Sequence, residues 1–373
     1  MLALLAQCSQ RVRTVMAATL SLPTTSSSRT EKRKLIAGRY RIERLLAKGG
    51  MARVYLARDL ERCERVALKI VRPDKKVPGL IQRFMAEARA AMKLTNEHVV
   101  RVFDVGSERD GSHYMVMELL EGTDLLDLLA ERGRLPVELA VKYVREAAAG
   151  LAEAHDKGIV HRDLKPKNLF LARDAHGGFS IKVIDFGVSK LDIPLKDGGR
   201  LTEPGITVGS PGYMSPEQMR GIANITPRSD IWALGALLFE LLSGMRPFEG
   251  ESLEALHKAA TTEKPLPIAS LREDVPDELD LVIAKCLRPE PKDRFEDVTE
   301  LAEALAPFAV DRRIERAHAA AIEEDESRVQ KLARHRTRFV IGVTLLAVAL
   351  ASINIWKTPS ITEPEVAKEA EPN

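Results

Sequence analysis

A 373-residue chain with 45% hydrophobic and 29% charged residues has the apolar content for a full core and the length for one large domain with extra segments, which excludes a wholly disordered chain. Its net charge of +2 is spread rather than gathered, which argues against a nucleic-acid-binding surface. Three scattered cysteines, Cys8, Cys63 and Cys286, have neither metal-ligand nor disulfide spacing and point to a reducing compartment.

In chain order, residues 1–38 read as a disordered leader: a short apolar start, a serine- and threonine-rich stretch from Ser21 to Thr30, then the basic patch Lys32 to Lys34. Gln7 precedes Cys8 where a cleavage site needs a small residue, and no positive charge precedes the apolar start, so a secretion signal is not expected. The run Val66-Ala67-Leu68-Lys69-Ile70-Val71 reads as a strand whose period of two puts Ala67, Lys69 and Val71 on one face. A lysine between apolar neighbours needs an anion. Downstream, Phe84, Ala88, Ala91 and Met92 recur at helical spacing, and Glu87 falls on the same stripe. A carboxylate facing an interior is unfavourable unless paired, so Lys69 and Glu87 are expected to satisfy each other.

The richest segment is His161-Arg162-Asp163-Leu164-Lys165-Pro166-Lys167-Asn168, followed by Asp185-Phe186-Gly187. Magnesium favours a few hard oxygen ligands plus phosphate oxygens, which suits Asn168 and Asp185 as its ligands. Attack by a hydroxyl on a γ-phosphate needs a carboxylate free of metal to take the proton, and Asp163 is the candidate base. Lys165, two residues on in an extended loop, shares its side and supplies positive charge for the transferring group. The run Ile181-Lys182-Val183-Ile184 alternates like a strand, placing Asp185 at its C-terminal end.

Toward the C-terminus, residues 309–338 are rich in Ala, Glu and Arg and read as a charged juxtamembrane segment. Phe339 to Trp356 carries no charge, and as a helix it would rise about 27 Å, close to the hydrocarbon thickness of a bilayer. Arg334, Arg336 and Arg338 precede it, while the acidic tail 357–373 follows with Glu363, Glu365, Glu369 and Glu371. The positive-inside rule then predicts a single pass through the inner cell membrane with the preceding residues cytoplasmic.

Together with Ser215-Pro216-Glu217, the run Asp230 to Gly235, and Arg294, these motifs resemble the eukaryotic-like (Hanks-type) Ser/Thr protein kinases of bacteria, over about Tyr40 to Phe308. The resemblance implies an α+β, two-lobed fold over 39–308, with a β-rich N-lobe, a helical C-lobe and ATP between them, followed here by the C-terminal transmembrane helix. It implies ATP and Mg2+ as cofactors, and protein substrates with Ser/Thr acceptors. Lys69 would hold the α and β phosphates, and Met117 to Leu120 would form the hinge that meets adenine. Nucleotide contacts are thus expected from Leu46, Ala47, Lys48, Gly49, Gly50, Val54, Ala67, Lys69, Glu118 and Leu120. The catalytic set is Asp163, Lys165, Lys69 and Glu87. In the family, residues matching Glu217 and Arg294 form a buried pair, and the one matching Asp230 braces the catalytic loop.

One departure stands out. The family's three loop glycines are here Ala47, Gly49 and Ala52, and a Cβ hinders close approach to phosphates, so altered nucleotide affinity is expected. The resemblance makes residues 188–214 an activation loop, with Thr202 and Thr207 as autophosphorylation sites, Arg162 as the phosphate partner and Ser210 in the usual threonine place. Signal input is then expected through a partner, through a homodimer or from the cytoplasmic side. The competing functional class is a pseudokinase scaffold that binds nucleotide or partners without phosphotransfer; a small-molecule kinase of similar fold is the weaker third.

Overall fold

The computed structural model describes residues 35–49, 52–73, 79–174, 178–186, 211–221 and 225–309. The expected membrane-crossing helix, the juxtamembrane segment from 310, the acidic tail, Gly50, Thr202, Thr207 and Ser210 lie outside the described residues. Among the described residues, no helix is long and apolar enough to cross a membrane.

The chain first builds an antiparallel sheet of β1 (Leu35–Ile36), β2 (Tyr40–Lys48), β3 (Ala52–Asp59), β4 (Arg65–Val71), β5 (Val102–Ser107) and β6 (His113–Glu118), in the order β1-β2-β3-β4-β6-β5. Its central strands β4 and β6 are buried in continuous runs, with successive side chains pointing to opposite faces. Val66, Leu68, Tyr114 and Val116 join Ile36, Tyr40 and Tyr55 in one buried cluster. Ala67, Val71, Met115 and Met117 face the other way, against helix α1 (Leu80–Ala91) through Phe84, Ala88 and Ala91. Met92, expected on the buried stripe, is instead 43% exposed, because the helix ends at Ala91 and Met92 is its cap. Strand β1 lies inside the stretch read as a leader. Ile36 is fully buried opposite Tyr40, and the turn at Ala37 and Gly38, both in the left-handed region, folds it back.

The chain leaves the sheet at Gly122 and forms a second, three-stranded antiparallel sheet from β7 (Gly122–Asp124), β8 (Leu169–Arg173) and β9 (Phe179–Val183). Gly122 has φ +144°, and a Cβ there would lie 2.0 Å from the Leu171 carbonyl oxygen, so only glycine fits this crossing. Helices α2 (Leu125–Arg132), α3 (Val137–Asp156), α4 (Pro216–Met219), α5 (Arg228–Ser243), α6 (Leu253–Thr262), α7 (Asp277–Cys286) and α8 (Val298–Leu305) make up the helical half. Helix α5 is buried along most of its length, with Trp232, Leu234, Leu237 and Leu241 all at 1% exposure or less, as befits a helix apolar all round.

The link from α1 to β5 is docked on the helical half. Glu153 of α3 accepts the Thr95 and Asn96 backbone N–H groups at 2.8 and 2.7 Å, and Lys157 donates to the Lys93 carbonyl at 2.5 Å. Val100 N–H donates to the Val183 carbonyl at 3.0 Å, and Val183 N–H to that of His98 at 2.7 Å. The Glu153 carboxyl is held down at about 2: burial opposes this, but donors from Lys157, Asn96 and Thr95 prevail.

Candidate active site

Strand β4 delivers Lys69 to the face covered by α1, and α1 delivers Glu87, so the ammonium and carboxylate meet at 3.0 Å. The same ammonium reaches Asp185 Oδ1 at 2.7 Å, across 116 residues of sequence. Burial works against the charge on Lys69, yet Asp185 and Glu87 together raise its pKa above the ordinary lysine range. Burial also works against Asp185, but Lys69 outweighs it and lowers the carboxyl's pKa. Glu87 goes the other way: burial raises it, and its share of Lys69 does not compensate.

The turn between α3 and β8 carries the second group. Lys165 Nζ lies 2.9 Å from Asp163 Oδ2, and the Asn168 amide donates to the Asp163 carbonyl at 2.8 Å and to Oδ2 at 3.2 Å. With both amide protons on Asp163, the oxygen of Asn168 is the end that could ligate a cation. Ile184 N–H donates to the Asn168 carbonyl at 2.9 Å, and His161 Nε2 donates to the Ile184 carbonyl at 3.2 Å. These bonds stitch the turn to the chain just before Asp185. The charges overlap accordingly: Asp163 bears on Glu87, and Lys165 on Asp185.

A buried carboxylate braces this turn from below. Asp230 of α5, 1% exposed, accepts the N–H groups of His161 and Arg162 at 2.8 and 2.9 Å, and His155 Nε2 at 2.8 Å. Burial opposes its charge, but those donors lower its pKa. His161, fully buried with its ring tilted against Phe186 at 4.8 Å, is pushed down by burial and stays neutral, donating through Nε2 while Nδ1 accepts the Asp163 N–H at 3.2 Å. Arg162 and Asp185 have φ of 67° and 55°, unusual for non-glycine residues and found where surroundings over-determine the backbone.

Of the expected nucleotide contacts, Leu46, Ala47, Lys48, Val54, Ala67, Lys69 and Glu118 lie on the adjoining sheet, Gly49 just after β2 and Leu120 just beyond β6. Val54, Ala67, Met117, Leu120, Ala52 and Ile184 belong to one apolar cluster. Gly49 N–H donates to the Ala52 carbonyl at 2.9 Å, closing the β2–β3 hairpin, with Ala47 opposite Val54 and Lys48 opposite Arg53. Leu46 sits in a bulge of β2 and is exposed. The Glu118 side chain accepts Lys182 Nζ at 2.9 Å and the Arg101 N–H at 2.8 Å, and its backbone N–H donates to the Arg101 carbonyl at 2.9 Å. Sequence reading missed Lys182, His155 and Gln218. Of these, Gln218 alone left a signal, the Ser-x-x-Gln capping pattern at Ser215. Among the described residues no cluster of three His, Cys, Asp or Glu side chains forms a metal cage, so a cation here would need phosphate oxygens beside Asp185 and Asn168.

Residues 40–305 match the family model described as protein kinase domain. The chain is 36% identical over 267 residues to the serine/threonine-protein kinase pkn3 of Myxococcus xanthus, covering 70% of this chain and 48% of that protein. Identity to the serine/threonine-protein kinase PknL of Mycobacterium tuberculosis is 36% over 280 residues, covering 74% of this chain and 67% of the relative. The crystal structure of the M. tuberculosis PknI kinase domain superposes with a TM-score of 0.58 at 27% identity, covering 74% of this chain and 99% of that one. The chain thus spans about half the length of the Myxococcus relative.

Proposed function

The chain belongs to the protein kinase family, and from that premise we propose that it is an ATP-dependent kinase acting on serine and threonine hydroxyls of proteins. The observation that carries the reading is the meeting of Lys69 with both Glu87 and Asp185, beside the Asp163–Lys165–Asn168 turn. A scaffold has no chemical need for all of these groups at one place.

In this proposal Lys69, steered by Glu87, holds the α and β phosphates, while Val54, Ala67 and Leu120 line the adenine slot and Glu118 and Leu120 offer backbone partners. Asp185 and the Asn168 oxygen would hold magnesium, which when bound supplies charge to phosphate oxygens. Asp163 orients the acceptor hydroxyl and takes its proton; Lys165, already against Asp163, meets charge on the transferring group. Arg162 Nε is buried with no hydrogen-bond partner among the described residues, which supports its role as a partner for a phosphate on Thr207 or Thr202. The uncharged run 339–356 and its flanking charges support a single inner-membrane pass with the kinase domain cytoplasmic.

The test is incubation of the full chain, in detergent, with labelled ATP and magnesium beside an Asp163→Asn control. Label on phosphoserine and phosphothreonine, absent from the control, is the expected result. Nucleotide binding without transfer would replace this reading with the scaffold. Mass spectrometry finding Thr202 and Thr207 unmodified in active enzyme would remove the loop-activation part. Extraction of the chain by salt or alkali without detergent would remove the membrane part.

A further inference from the structure

The peptide unit between Arg162 and Asp163 is held at both ends. Its N–H, from Asp163, donates to His161 Nδ1 at 3.2 Å, and its carbonyl, from Arg162, accepts Gln218 Nε2 at 2.9 Å. Arg162 itself sits at φ 67°, so without such partners this unit has reason to rotate toward a more populated conformation. Rotation of that plane would swing Asp163, whose Cα it adjoins.

The glutamine is itself clamped. Ser215 caps α4, and its N–H and hydroxyl donate to Gln218 Oε1 at 3.1 and 3.2 Å, in a reciprocal capping box. With the oxygen so engaged, the amide nitrogen is turned to Arg162. The neighbouring Glu217 is anchored by Arg294 and Ser229, so the helix under Gln218 is fixed to the helical half. Gln218, Arg162 and Asp163 also line one small cavity with Tyr213, Met214 and Asp230.

We propose that Gln218 is a positioning residue for Asp163: the amide it presents from the α4 cap fixes the Arg162–Asp163 peptide plane, and so ties the end of the Ser215-Pro216-Glu217 segment to the geometry of the base. The inference rests on the kinase reading above. It makes the aim of the carboxylate depend on a side chain that touches neither nucleotide nor metal.

Chemistry offers a variant that separates this role from folding. In Gln218→Glu the capping box survives, because Glu is an accepted partner for a serine cap at this spacing, but the donor to Arg162 is gone and an acceptor faces the carbonyl. For the full chain in detergent, kcat of Gln218→Glu on a serine peptide should fall about tenfold, while KM for ATP stays at the wild-type value and Tm falls less than in Gln218→Ala. Gln218→Ala should show the same kcat loss and a lower Tm, since it also loses the cap. A wild-type kcat in Gln218→Glu overturns the proposal, as does a loss matched by an equal rise in KM for ATP or by a Tm as low as that of Gln218→Ala. An inactive wild-type chain would instead bring down the kinase reading, and this inference with it.

Discussion

Two ion pairs in this molecule use the same chemistry to opposite ends. At Arg294, all five guanidinium N–H groups are taken: two by Glu217 at 2.8 Å each, and three by the carbonyls of Arg288, Arg228 and Pro289. Ser229 supplies a further donor to Glu217, and the Trp232 ring lies 5.1 Å away. At Lys69, one ammonium serves two carboxylates, and Asp185 remains 45% exposed. The first site is saturated and closed, which fixes structure. The second holds more negative charge than its cation matches and opens to solvent, which is what a site for a metal-bound polyphosphate requires. Burial alone does not separate structural from functional charges; unsatisfied capacity does.

The contrast can be broken first at Asp163, the proposed base, where the largest effect is expected: Asp163→Asn should lower kcat by about 10²–10⁴-fold with Tm unchanged, checked by steady-state kinetics and thermal melting. Next, Arg294→Met leaves Glu217 buried without its partner and should destabilise by about 3–5 kcal/mol, lowering Tm by about 10 °C, with kcat per folded molecule preserved. Lys69→Met should do the reverse, lowering kcat/KM about a hundredfold while Tm falls less than in Arg294→Met, because half-exposed Asp185 can regain water and Glu87, whose pKa burial already raises, can take a proton.

Acid sharpens the comparison more gently. Burial works against the Glu217 charge, but Arg294 holds the carboxyl below its usual range. Its stabilising contribution is therefore complete above the unfolded-state value of about 4.5 and is lost as pH falls through the lower folded-state pKa. Melting of wild type and Glu217→Gln should differ most near neutrality and converge on acidification. A constant gap down to pH 3 would contradict the assignment. The smallest effect is expected in the hairpin: Ala47→Gly and Ala52→Gly should change ATP affinity by less than about threefold in a nucleotide titration. Unchanged affinity and rate would make the alanines silent.

Much of the site was legible because its residues sit on periodic elements. The period of two through Val66–Val71 put Lys69 on the covered face, and the helical stripe put Glu87 opposite it, before any contact was visible. Asp163, Lys165 and Asn168 fall close together in sequence and were readable as a group. What could not be read were bonds between distant, aperiodic positions. His155 meets Asp230 across 75 residues, Gln218 meets Arg162 across 56, and Lys182 meets Glu118 across 64. Strand β1 escaped for another reason: two residues are too few to show alternation, and only the Ala37–Gly38 turn and the buried Ile36 make it a strand.

The docking of residues 93–100 onto α3 and β9 has a mechanical corollary. Two covalent crossings join the sheet to the helices, one near Leu119–Gly122 and one before β5, and the second is fastened to the lower half by Glu153, Lys157 and Val183. Two fixed points define an axle. The sheet is thereby favoured to swing like a door about the line through them, and the β1–β2 edge, farthest from that line in the strand order β1-β2-β3-β4-β6-β5, sweeps the widest arc.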